Sequence, residues 1–279
     1  MVISVTSNPG ALAALSTLTS VTADLEETQR RVSTGLEVSS ARDNPALFSL
    51  AQIQRAELGS IESVQQGLRT ASSTVELAIA AGDGISDILV ELRQIATQAA
   101  TADATTIDLL EAQYVELANA IDRQIASAEI NGNNLLATAG GDLEVLASTD
   151  STDTITVAEQ DLEGTSILTI DRGTTPFDGT DLAAQQAAAV AEIAAIDASI
   201  VNLSNALGQL GAGSAAIDLQ DSLLTRVSDA LEVSIGNLTA ADLPRESSRL
   251  QALQVQPQLA IQTLSIANAA PNAILGLFA

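Results

Sequence analysis

The chain has 279 residues, of which 46% are hydrophobic and only 1% aromatic, and it carries a formal net charge of -24. That apolar content excludes a disordered chain, and the scarcity of aromatics favours helices packed lengthwise through Ala, Leu, Ile and Val over a broad globular core. All 11 basic residues are Arg, and His, Cys and Lys are absent. This removes the commonest general base, thiol chemistry, thiolate metal sites and Schiff bases, so neither an enzyme nor a cofactor is expected. A pI of about 4.1 argues against nucleic-acid binding.

Residues 1–23 contain no charged side chain. Leu12, Leu15, Leu18, Val21 and Leu25 recur at steps of three and four, which predicts an amphipathic helix. No basic region precedes an apolar run here, so a secretory signal is not expected. Gly35 suits a left-handed helix cap, and Asp43 or Asn44 ahead of Pro45 suits a new helix start.

From Ile61 a seam runs through Val64, Leu68, Ala71, Val75, Ala78, Gly82, Ile85, Leu89, Leu92, Ala96 and Ala99. Unbroken alternation of three and four predicts a supercoiled helix about 60 Å long. Gly82 and Gly84 weaken it by about 2 kcal/mol together, while Ala78 and Gly82 leave room for a second backbone. After a polar break at 101–106, Ile107, Leu110, Tyr114, Leu117 and Ile121 predict a second, antiparallel helix, continued by Gln124 and Ala128. The cluster at 131–134 is expected to end it.

Residues 138–181 are rich in Gly, Thr and Asp, with short strands predicted at 143–146, 154–157 and 166–170. No Asp-x-Asp-x-Asp-Gly loop is present, so these acids read as solvated rather than calcium-binding. A further long helix follows. Its predicted seam is Ile193, Ile196, Ile200, Leu203, Leu207, Leu210, Ser214, Ile217, Asp221, Leu224, Ser228, Leu231, Ile235 and Leu238. A break at 239–244 leads into a charge-free tail, residues 250–279, with Leu250, Leu253, Ile261 and Leu264 at helical spacing. Its many Gln and Asn residues and two prolines argue against membrane insertion.

The expected fold is therefore mainly α: long antiparallel coiled-coil helices, paired terminal helices, and a small β-containing central insert. Residues 1–42 and 240–279 form the terminal helices, 43–137 and 182–239 the long-helix domain, and 138–181 a surface-exposed insert. One helix pair buries a single stripe of each partner, so the uncharged ends point to self-assembly. Residues 1–32 and 241–279 are expected to order fully only in the assembly. Deletion of the insert is expected to be tolerated, because it lies outside both seams.

Four stretches carry a resemblance to bacterial flagellins. Arg31-Val32-Ser33-Thr34-Gly35-Leu36 with Ser39-Ser40-Ala41-Arg42-Asp43-Asn44-Pro45-Ala46 is similar to the N-terminal flagellin motif. Leu92-Arg93-Gln94-Ile95-Ala96-Thr97-Gln98-Ala99 resembles the late part of the first core helix. Ile121-Asp122-Arg123 and Ile130-Asn131-Gly132 resemble the end of the second. The tail resembles the flagellin C terminus through Glu246-Ser247, Gln262, Ala267-Asn268, Pro271-Asn272 and Leu275-Gly276-Leu277.

The resemblance implies a structural subunit that polymerises with itself into the flagellar filament for swimming motility, outside the cell. It implies type III export with an export chaperone, and contacts with filament cap and hook-junction proteins. The inner core would use Leu12, Leu15, Leu18, Leu25, Leu250, Leu253, Ile261, Leu264, Leu275 and Leu277. The alternatives are a hook–filament junction protein of the same family and a coiled-coil scaffold or adhesin. The resemblance also places Glu91, Arg93, Ile95 and Gln113 on the face that an innate Toll-like receptor reads. Glu91 stands where the pattern has Arg, and Gln113 where it has an acid, which implies weak or absent receptor binding.

Overall fold

The computed structural model describes residues 8–138, 140–150, 152–173 and 175–275, with side chains as far as residue 269. Five helices and one hairpin follow in the order α1 (Pro9–Thr34), α2 (Pro45–Ala99), α3 (Ala104–Ser127), β1 (Leu143–Leu146), β2 (Thr154–Val157), α4 (Leu182–Thr239) and α5 (Leu243–Leu275). The chain divides into two compact units, Gly59–Ser228 and Met1–Leu58 with Asp229–Ala279. These limits fall inside α2 and α4.

The helix ends follow from local chemistry. Asn8 caps α1 by accepting from the Ala11 N–H, with Pro9 behind it, and Gly35 closes the helix at φ 70°. Asn44 accepts from the N–H groups of Ala46 and Leu47 at the start of α2. Asp103 caps α3 by accepting from Thr106. α3 stops at Ser127, short of the predicted cluster. That cluster instead makes a turn with Asn131 at φ 53° and Gly132 at φ 84°. Asn134 reaches back, its Nδ2 donating 2.7 Å to the Ile125 carbonyl, and so satisfies the end of α3 from beyond the turn.

In the unit Gly59–Ser228, α2 and α4 run antiparallel. Gln65 donates to Thr225 at 2.9 Å, Arg69 approaches Asp221 at 4.0 Å, and Arg93 pairs with Asp197 at 2.5 Å. Between them Gly82 faces Leu207, where a Cβ would meet Leu207 Cδ2 at 2.4 Å. The helix runs unbroken through Gly82 and Gly84, and the glycine is where two helices close on each other. On α2, Ile61, Leu68, Val75, Ile85 and Leu92 are buried. On α3, Ile107, Leu110, Tyr114 and Ile121 are buried, but Ala118 and Ile125 take the places predicted for Leu117 and Gln124, and Leu117 is half-buried. On α4 the buried line is Ala189, Glu192, Ile196, Ser199, Leu203, Ala206, Leu210, Ile217 and Leu224, with the predicted Ile200 and Leu207 half-buried beside it.

α4 is long and apolar enough, by length and composition alone, to cross a bilayer, with mean hydropathy 1.5 over its most apolar 18-residue window. Alanine on every side of the helix makes it so, not a single apolar face.

The central segment forms one hairpin and packs part of its side chains against α3 and α4. β1 and β2 pair antiparallel, Leu143 opposite Val157 and Leu146 opposite Thr154. The third predicted strand, 166–170, is irregular. Its hydrogen bonds go to α4: Thr169 N–H to Ser199 Oγ at 2.9 Å, and Asn202 Nδ2 to the Ile167 carbonyl at 3.2 Å. Leu162, Leu168, Ile170 and Phe177 are buried, and the Phe177 ring meets Tyr114 edge-on at 5.2 Å. Buried Glu192 joins three segments, accepting from Tyr114 OH at 2.5 Å and the Asp171 N–H at 2.9 Å. Burial pushes its carboxyl up and outweighs the two hydrogen bonds that lower it.

Candidate assembly surfaces

The terminal helices α1 and α5 pair with each other. Asn8 at the start of α1 donates 2.8 Å to the Ala267 carbonyl late in α5, and Arg31 at the end of α1 meets Glu246 at 3.5 Å in the first turn of α5. The pair is therefore antiparallel. Arg31 also binds Glu27 at 2.6 Å. Its Nε and Glu246 Oε2 are buried without a hydrogen-bond partner, so this contact fixes register at a cost in desolvation.

The described residues of the two helices divide cleanly. Leu18, Leu25, Leu250 and Leu264 are half-buried and Leu253 is buried along the shared stripe. Leu12, Leu15 and Ile261 are 64%, 50% and 56% exposed. Val255, Leu259 and Ile266, which the sequence reading passed over, are exposed with them. Leu12 and Leu15 border a groove of about 550 Å³ with Ser16, Thr19, Ser20 and Ala23. The side chains of Leu275 and Leu277 lie outside the described residues. Each terminal segment thus has a partner within the chain, but only for one stripe.

The loop after α1 is tied at both ends. Glu37 N–H donates 2.7 Å to the Thr239 carbonyl, and Ala241 N–H donates 2.9 Å to that of Gly35. Within the loop Asp43 Oδ2 accepts from the N–H and hydroxyl of both Ser39 and Ser40. Its other oxygen pairs with Arg30 at 2.9 Å. Burial alone would raise the Asp43 carboxyl, but the serine hydrogen bonds outweigh it and hold the group down at about 2.

In the other unit, a groove of about 470 Å³ lies between α2 and α3, lined by Glu91, Gln94, Ile95, Gln98, Gln113, Glu116 and Leu117. Three of the four predicted receptor-face residues are brought together there. The fourth, Arg93, turns to α4 and is held by Asp197, whose hydrogen bond and charge raise the guanidinium further. Glu116 and Leu117 complete the groove and were not foreseen as members of it. Among the described residues no group of His, Cys, Asp or Glu has the arrangement of a metal site.

These features define a helical protein whose outer apolar faces exceed what its own chain covers. Residues 5–140 match the family model of the bacterial flagellin N-terminal helical region, and residues 193–278 that of the bacterial flagellin C-terminal helical region. Flagellin FljO of Caulobacter vibrioides is 35% identical over 278 residues, covering 99% of this chain and 98% of its own. A flagellin of Brucella melitensis is 32% identical, covering 99% of each. A putative flagellar hook-associated protein of Vibrio parahaemolyticus shares the fold at TM-score 0.59 and 17% identity, over 71% of this chain and 100% of that one. The chain belongs to the bacterial flagellin family, and it is a structural subunit of the flagellar filament.

Proposed function

We propose that the terminal helices, residues 1–42 and 240–279, form the inner core of the filament. Residues 43–137 and 182–239 form its long-helix domain, and 138–181 a solvent-facing cover. The observation that carries this is the α1–α5 pair, whose charge-free residues 9–23 and 250–269 leave Leu12, Leu15, Leu259, Ile261 and Ile266 exposed. Each of these side chains gains about 1.5–3 kcal/mol on full burial, so a neighbouring copy seated on them drives assembly. The subunit is secreted through the flagellar export apparatus with an export chaperone, and it meets the filament cap and the hook-junction proteins at the filament ends.

The test is a Leu12→Glu, Leu15→Glu double variant, which leaves the α1–α5 stripe untouched. Sedimentation and electron microscopy should show no filaments, while circular dichroism reports the native helix content. Normal filaments from that variant would sink the assignment. The hook–filament junction reading has the fold likeness in its favour. Identity of 32–35% to flagellins along the whole chain supports the filament subunit instead.

The α2–α3 groove is a weak receptor face. Glu91 and Glu116 make its rim acidic, Arg93 is engaged by Asp197, and Gln113 carries no charge. Monomer should give little or no activation of the flagellin-sensing Toll-like receptor in reporter cells, with a Glu91→Arg, Gln113→Glu variant gaining signal. Strong activation by the unmodified chain contradicts this reading.

A further inference from the structure

Glu192 is a buried carboxyl group without a cation. It is 7% exposed, between the fully buried Ala189 and Ile196 on the inner side of α4. Among the described residues no Arg pairs with it. Arg93 of α2 is engaged by Asp197, and Arg172 by Asp122 and the carbonyls of Glu163 and Gly164. The charge that does act on it is negative, from Asp171. A buried carboxylate in that position is costly, and a proton removes the cost. Tyr114 OH and the Asp171 N–H both donate to Oε1, which leaves Oε2 to carry the proton.

The position of this group gives it leverage. The backbone from Thr169 to Phe177 has no strand partner, and side chains of the long helices hold it instead. The Thr169 N–H donates to Ser199 at 2.9 Å, that of Asp171 to Glu192 at 2.9 Å, and that of Phe177 to Glu111 at 3.0 Å. Ser199 does not titrate in the range of a carboxyl group, and Glu111 on α3 is half-buried and keeps contact with water. Glu192 alone of the three carries its charge out of water. Tyr114 binds Glu192 through its hydroxyl and meets Phe177 with its ring, so the same two helices and the segment all converge there.

We infer that Glu192 is a pH-sensitive latch on the central segment: its neutral carboxyl holds residues 169–177 against α3 and α4, and its ionisation loosens them. On opening, water reaches the carboxyl and the proton leaves to solvent; on closing, one proton is taken up again. The latch lies within the unit Gly59–Ser228 and needs no second copy.

The sign follows from burial. Desolvation raises the Glu192 carboxyl above its ordinary 4.5, and the Tyr114 and Asp171 hydrogen bonds only partly offset this. Docking is therefore strongest below 4.5 and weakens as pH rises through the raised value. Within that window each opening releases one proton, so the opening equilibrium grows by up to about tenfold per pH unit. Burial and Glu192 push the Tyr114 hydroxyl upward, so it remains a donor throughout.

The test is hydrogen exchange across residues 168–178 of the full chain between pH 5 and 8, corrected for the intrinsic rate of each amide. Protection at Asp171 and Phe177 should fall as pH rises. Glu192→Gln keeps the Oε1 acceptor and cannot ionise. Its protection should not change with pH and should exceed that of wild type at pH 8, whereas loss of a merely structural contact would lower it at every pH. Tyr114→Phe gives a second readout. It removes a hydrogen bond that favours the ionised form, so the fall in protection should persist and move to higher pH. Flat protection in wild type overturns the inference. So does a pH dependence that survives unchanged in Glu192→Gln, or a window that Tyr114→Phe leaves in place.

Discussion

Asp43 takes four hydrogen bonds from Ser39 and Ser40 through one oxygen and pairs with Arg30 through the other. The carboxylate therefore organises the turn between α1 and α2, and the neighbouring Asn44 does the capping. A carboxyl held at about 2, against 3.8 ordinarily, stabilises the fold fully above the unfolded value and loses that contribution as pH falls towards 2. Denaturant titrations of wild type and Asp43→Asn at pH 6, 4 and 2.5 should show the variant less stable at pH 6, with the gap closing by pH 2.5. A gap that stays constant would mean that the carboxylate charge is not what holds the turn. Glu192 has the opposite sign. Its carboxyl is raised by burial, so its ionised form opposes folding as pH rises past its unfolded value. It is kept as the acceptor that joins Tyr114 and Asp171.

Among the elements, the central segment changes most between pattern and packing. The alternation at 143–146 and 154–157 is a strand signal, and both strands form. The run at 166–170 has the same composition, but its neighbours are α4 side chains rather than a strand edge, so Ser199 and Asn202 take its backbone hydrogen bonds. Leu162, Leu168, Ile170 and Phe177 together bury side chains worth about 8 kcal/mol, at about 2 kcal/mol each. That is comparable to the whole stability of a domain, so deletion of 138–181 should unfold the unit that contains it. Phe177→Ala alone should destabilise by about 3–5 kcal/mol, through the lost ring and the cavity left beside Tyr114. Urea unfolding followed by circular dichroism measures this, and a loss below 1 kcal/mol would show the segment to be a passive cover.

For the whole molecule, charge is the dominant feature. Each subunit brings -24 to the filament, with 11 Arg against 35 acids. Raising salt from 0.01 M to 0.15 M shortens the screening length from about 30 Å to about 8 Å. The critical concentration for assembly should fall with it, by about tenfold for each 1.4 kcal/mol of repulsion relieved per subunit. Acidification towards the pI of about 4.1 should act the same way, because Asp43, held at about 2, stays ionised there. Light scattering across a salt series tests this, and a flat threshold would show that the acids are too far apart in the filament to interact.

Much of this protein was legible in one dimension because it depends on residues three or four apart. The heptad seam of α2, the Gly35 cap, the Asn44-Pro45 start, the first two strands and the flagellin-like ends are all local patterns. Local rules set their geometry whatever surrounds them. Tertiary structure alone decided which of several apolar lines is used. α3 buries Ala118 where the periodicity offered Leu117 equally well, and that frees Leu117 for the groove with Ile95. α4 offers apolar residues in every phase, so its buried line is set by where α2 and α3 lie, and Glu192 enters it because Tyr114 and Asp171 meet it there. Leu12 and Leu15 of α1 likewise point outward because α5 covers only one stripe. A helical repeat specifies that a face is apolar, and only the position of a partner specifies whether that face is already covered or still free to bind another chain.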